Sequence, residues 1–230
     1  MTDRTQPPFT GPEDYYHLPG HDYTPWAVHE AGHALAVVAT GVGRVYSVSL
    51  ATQFGINGRC QSEGWLDQDD EQIAGNEVGR EHLRAKLVVA LAGVAAEVVA
   101  GHRDGGLAEW LKEFEDDYGT LALYAESEPG TDCSEAVRLA GLSGTSVEDG
   151  WNEAVRLLSL PVVREAVEMV ARELMRLKDA GSDPRLSRSA FEALLGGLER
   201  FRAMHWTSVD HARAALVSSI TLVGRLPTEE

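Results

Sequence analysis

The sequence predicts a mainly α-helical domain of the α+β class, with a small β-sheet near its start. Three observations lead there. Apolar residues recur at helical spacing through most of the chain from Thr24 onward. One short β-branched stretch, RVYSVSL (Arg44 to Leu50), alternates with period two. The segments are separated by Pro, Gly and Ser/Thr/Asp caps, and no shift of composition marks a second domain. A length of 230 residues suffices for one well-filled core.

In chain order, residues 1–23 are rich in Pro, Gly, Tyr and Asp and read as a coil extension. Thr24 and Pro25 open a helix as N-cap and first-turn proline, WAVHEAGHALAVVAT continues it, and Gly41 is placed to end it. The strand Arg44 to Leu50 follows, and the Gly-punctuated stretch to Trp65 has room for one or two more. LDQDDEQIAGNE (66–77) reads as an acidic loop. From about Val78 to Ala100 the helical pattern becomes apolar on every side, which marks a central helix. Gly105 to Ser127 suggests an amphipathic, strongly acidic helix. EPGTDCSEAVRLAG supplies a Pro-Gly turn, a Thr131 cap and a short helix ending near Gly141. Helices are expected at about Val147–Leu158, Pro161–Asp179 and Arg188–Phe201, and a last one from Val209 to Val223 behind Thr207 and Ser208. The organisation is thus an extension (1–23), a domain (24–202) with an acidic helix inserted at about 105–127, and a terminal helix and tail (203–230) packed on the same domain.

Charge narrows the function classes. Asp and Glu number 36 against 20 Lys and Arg, a net charge of −16, which disfavours nucleic acid and anionic membrane surfaces as partners. The longest uncharged apolar run, Leu87 to Ala96, is too short to span a bilayer, and the first residues hold no secretory h-region. Two cysteines without a CxxC pair fit a reducing, cytoplasmic setting.

Residues 29–33, HEAGH, carry the chemistry. Histidines four apart share one helix face with Cβ atoms about 5–6 Å apart, which lets two imidazoles meet one metal ion. Glu30 is turned about 100° around the helix, so it serves as general base to a water rather than as a ligand. An acidic residue and two imidazoles among Ala, Val, Leu and Gly would be costly to bury without such a partner. A third ligand is required, and Glu97, Asp132, Cys133, His82, His102, His205 and His211 are the candidates. An aspartate at position 132 would equally complement a helix dipole, whereas Glu97 in AGVAAEVVAG needs an interior partner.

AVHEAGHALAVVATG followed by VYSVSL resembles the zinc peptidase domain of the FtsH-type proteases, the M41 peptidases. LAGVAAEVVAG (Leu91 to Gly101) is similar to that family's second signature, with its Ala-Gly-x-x-Ala-Glu core, and GTDCSEAVRLA to its third. The likeness runs from about Thr24 to Leu195. It implies a helical, zincin-like peptidase fold with the sheet near the active-site helix, and one Zn2+ per chain held by His29, His33 and Asp132. It also implies Glu30 as the base and Glu97 as a buried supporting residue. A substrate would add as a strand beside Val45, Ser47, Val48 and Ser49. No GxxxxGK[ST] motif occurs, so the likeness reaches the peptidase part and not the family's ATPase module. The expected function is a soluble, ATP-independent zinc endopeptidase acting on flexible or unfolded polypeptides. The alternatives are a non-catalytic zinc-stabilised interaction module, against which Glu30 speaks, and a metal hydrolase confined to short peptides or amides. A homo-oligomer or a separate ATPase partner stays open.

Overall fold

The computed structural model describes residues 22–50, 59–64, 70–118 and 131–196. The N-terminal extension to residue 21, residues 119–127 of the expected acidic helix, and everything beyond Gly196, including the expected final helix, lie outside these residues. The described residues form a mainly helical α+β fold with a three-stranded antiparallel sheet.

Helix α1 (Thr24–Thr40) is buried over most of its length and lies against α3, α7 and strand β1. Pro25 occupies its first turn. Its N-cap is Tyr23 rather than Thr24, which is already the first helical residue and donates its N–H to the Asp22 carboxylate at 2.9 Å. Gly41, at φ 71°, ends the helix with its N–H on the Val37 carbonyl. Strand β1 (Gly43–Ser49) is the middle of the sheet, with β2 (Arg59–Gly64) on one side and β3 (Arg185–Ser187) on the other. Val48 stands opposite Cys60 and Leu186. A register shift between Val45 and Ser47 leaves Tyr46 unmatched on β2, and this residue is 47% exposed.

The acidic stretch 66–77 is not wholly loop. Asp70–Ile73 forms one helical turn, α2, held by contacts that only the tertiary structure supplies: Asp70 bonds Lys86 and Arg138, and Ile73 is buried. Helix α3 (Glu77–Ala100) starts at Asn76, whose side chain accepts from the Gly79 N–H at 2.8 Å, and ends at Gly101 in the left-handed region. It packs against α1, α5 and α6, which explains why its second half is apolar on every side.

Helix α4 (Leu107–Tyr118) buries Trp110. Helix α5 (Asp132–Ser143) begins at a capping box of Thr131 and Ser134 and runs past Gly141 to a left-handed Gly144. Helices α6 (Val147–Leu158) and α7 (Pro161–Asp179) match their expected bounds. Helix α8 (Arg188–Gly196) follows β3 directly, and β3 lies in a stretch without strand signals. Among the described residues no helix is long and apolar enough to cross a membrane.

Candidate metal centre

His29 Nε2, His33 Nε2 and Asp132 Oδ2 converge on one point. The separations are 3.0 Å between His29 and Asp132, 3.1 Å between His33 and Asp132, and 3.1 Å between the two nitrogens. Two loci of the chain about a hundred residues apart supply them: one face of α1, and the first residue of α5 just inside its capping box. Among the described residues this is the one group of His, Cys, Asp or Glu able to hold a metal ion.

The outer nitrogens settle which atoms face inward. His33 Nδ1 lies 2.7 Å from the Val89 carbonyl, which can only accept, so Nδ1 carries a proton and the lone pair of the neutral ring is on Nε2. His29 Nδ1 lies 2.5 Å from Glu97 Oε1, a carboxylate that likewise accepts. Arg103 Nη1 stands 3.7 Å from the other Glu97 oxygen and balances its charge. Imidazole ligands are commonly oriented by such an outer hydrogen bond. Three electron-pair donors at about 3 Å repel one another unless a positive centre sits among them. A tetrahedral zinc with bonds of about 2.0–2.1 Å separates its ligand atoms by about 3.3 Å, so the observed triangle fits a metal ion of that kind.

Helix α3 makes the room. Val89, Gly93 and Glu97 are spaced four apart and so share one face, which runs along the histidine face of α1. Val89 orients His33, and Glu97 orients His29. Between them, a Cβ on Gly93 would lie 2.4 Å from His29 Nε2 and 2.5 Å from His33 Nε2. A Cβ on Gly32 would lie 2.5 Å from the Ala92 carbonyl oxygen and 2.6 Å from Ala96 Cβ. Two glycines thus bring the helices together and leave a hollow that the imidazoles fill. Sequence reasoning missed both. The signal was present as HEAGH and AGVAAE, but it becomes legible only once the two helices are known to face each other.

Glu30 is buried beside the cluster, and its carboxylate accepts from the Cys60 backbone N–H on β2. Burial pushes its pKa up, the histidine charges pull it down, and Asp132 raises it again; the net shift is upward. Without a metal, burial disfavours the charged form of His29, but the hydrogen bonds to Asp132 and Glu97 and the nearby carboxylate charges outweigh it and push the ring up to about 10. His33 is raised too: burial opposes its charge, and Asp132 outweighs burial. Burial likewise opposes the Asp132 charge, and the two histidines hold this carboxyl far below the usual carboxylate range. The metal-free centre therefore holds protons where a cation would sit. Asp132 is the open side of the group, with its side chain 40% exposed.

The other candidates lie apart from this group. Cys133 follows Asp132 but is fully buried among core residues, where burial and the Asp132 charge push its thiol up to about 11. His82 is buried toward Lys86 and Asp70, His102 is exposed after α3, and His205 and His211 lie outside the described residues. Val45, Ser47, Val48 and Ser49, expected along an open cleft, are all buried. Ser47 to Ser49 are paired with β2 on one side and β3 on the other, so β1 has no edge there for a further strand. The strand beside Glu30 is β2. Its Arg59 carbonyl accepts from Ser49 Oγ at 3.4 Å, so the peptide joining Arg59 to Cys60 turns its N–H away from β1, toward Glu30. Among the described residues no strand pairs with that outer edge.

No protein-family model matches this chain, and no curated protein matches it either.

Proposed function

We propose that the protein is a zinc-dependent peptidase of the M41-like kind, with His29, His33 and Asp132 as ligands and Glu30 as general base. The convergence of two imidazole nitrogens and one carboxylate oxygen, with Glu30 buried next to them, carries this reading. A two-nitrogen, one-oxygen donor set leaving a fourth position open suits catalytic zinc. Bound there, zinc supplies Lewis-acid polarisation of a carbonyl and acidifies a water to a pKa of about 7.

The chain's own groups do the rest. Glu30 would take the proton of the attacking water and pass it to the leaving amine, and a carboxylate whose pKa burial raises is suited to both transfers. Cys60 N–H fixes the carboxylate for this task. Glu97 and the Val89 carbonyl keep both imidazoles in the tautomer that presents Nε2. An extended peptide would lie along the outer edge of β2, offering backbone groups to it as an added strand. Substrates would then be flexible or unfolded polypeptides, since folded domains keep such groups paired.

Glu30→Gln tests the reading, because the amide keeps the shape and loses the base. Zinc content should stay at the wild-type level, while hydrolysis of an unfolded polypeptide should fall about 10²–10⁴-fold. Hydrolysis at an undiminished rate would remove Glu30 from the mechanism. Stoichiometric zinc with no hydrolysis of any peptide by the wild type would point instead to an interaction module.

A further inference from the structure

Helix α5 carries Asp132 at its first turn and meets the core through Cys133, Ala136, Leu139 and Ala140, mostly small side chains. Apolar attraction is non-directional, so such a contact resists separation more than rotation about the helix axis. Rotation matters here. Side-chain atoms lie about 5–6 Å from a helix axis, so a turn of about 20° carries one through about 2 Å. Metal–ligand distances tolerate only about 0.2 Å.

One directional tie leaves the flank of α5. Arg138, six residues from Asp132 and about 120° round the axis, reaches Asp70 with Nη2–Oδ2 at 2.5 Å. Lys86 Nζ on α3 donates to both Asp70 oxygens at 2.7 Å. The Asp70 side chain is 12% exposed, and the two cations outweigh the burial that would otherwise raise its carboxyl, holding it down. Asp70 is itself seated on α3: Ile73 is buried, and a Cβ on Gly79 would fall 1.6 Å from the Ile73 carbonyl oxygen. Glu135 holds the Arg138 guanidinium from the α5 side, with oxygens at 2.7 and 2.9 Å. Charge-assisted bonds of this kind are the strong, directional ones.

We propose that Asp70 is a positioning residue for the metal centre: the Lys86–Asp70–Arg138 chain sets the rotation of α5 on α3 and so holds Asp132 Oδ2 against His29 and His33. This rests on the metal-binding reading above. It separates two roles within one helix. Ala136 and Leu139 keep α5 on the domain, and Arg138 decides which way Asp132 points.

The test uses Asp70→Asn in the full chain with zinc as the probe. Zinc affinity is measured by competition with a chromophoric chelator, and thermal unfolding is followed with and without zinc. A ligand that binds only the folded state raises its stability by an amount set by the dissociation constant. A residue serving the fold alone would therefore lower both melting temperatures together and leave the gap between them and the affinity unchanged. The expected result is an affinity about 10–100-fold weaker, a narrower gap, and partial recovery in Asp70→Glu. Arg176→Gln, which breaks an exposed pair on α7, should change neither. If Asp70→Asn does not fold, Arg138→Gln removes only the α5 end of the chain and carries the same test. A folded variant with wild-type zinc affinity overturns the proposal and leaves the metal site standing. A wild-type chain that binds no zinc removes the metal reading, and this inference with it.

Discussion

Helix α1 is held on two sides by two unlike contacts. Toward α7 it meets Val163, Ala166, Val167, Val170, Ala171 and Leu174, an apolar stripe at helical spacing whose outer face carries exposed Arg–Glu pairs. The start of α1 is tied there as well, with Lys178 Nζ 4.4 Å from the centre of the Tyr23 ring. Toward α3 the same helix presents His29, Gly32 and His33 to Val89, Gly93 and Glu97. The first contact is built from aliphatic side chains, with Lys178 only at its end. The second gives up side-chain volume so that ionisable groups fit between two backbones. The two sides of α1 thus divide the labour: the α7 side stabilises the helix, and the α3 side positions ligands.

Substitution at Gly93 should break that division most sharply. Alanine is favoured over glycine inside a helix by about 1 kcal/mol, so an inert Gly93→Ala would stabilise the protein. The new Cβ meets the far ends of two imidazoles, which can swing aside and preserve the fold but not the ligand geometry. The expected outcome is a folded protein by circular dichroism with tight metal binding lost. Leu174→Ala should do the reverse. Removal of a fully buried leucine side chain costs about 2–5 kcal/mol, visible in denaturant unfolding, while zinc affinity of the folded fraction stays at the wild-type value.

A graded effect should follow pH. In the metal-free protein His29 rises from 6.5 to about 10, so its contribution to stability is complete below pH 6.5 and is lost as pH climbs toward 10. Melting temperature of the metal-free form should fall across that window. Zinc must displace the same proton, so its affinity should rise over the same range. The slope belongs to the α3 side, and Leu174→Ala should retain it. Smallest of all, Arg176→Ala removes an exposed i,i+3 pair with Glu173 and should leave the unfolding midpoint in the same assay indistinguishable from wild type.

Much of this architecture could be read from the sequence, for particular reasons. Helices α1, α3, α6 and α7 are long, periodic and bounded by Gly, Pro or cap residues, so local rules suffice. His29, Glu30 and His33 were legible because i, i+4 spacing on one helix is a local fact. Asp132 was one of several candidates from the residues alone, since its first-turn position has an innocent explanation; its place beside the histidines depends on how α5 packs. Gly93 and Val89 could not be read, because their roles exist only across a helix pair. Strand order is non-local too, so nothing in RVYSVSL says that β1 is the middle strand. Asp70 read as part of an acidic loop because its partners, Lys86 and Arg138, are 16 and 68 residues away.

The most direct test of the metal centre is a titration of the chelator-stripped full chain with Zn2+, run beside His29→Ala, His33→Ala and Asp132→Ala, each shown to be folded. Close to one tight site per chain is expected in the wild type, with its loss in both histidine variants and marked weakening in Asp132→Ala. Tight stoichiometric binding that survives in the folded histidine variants, or no tight binding in the wild type, would contradict it.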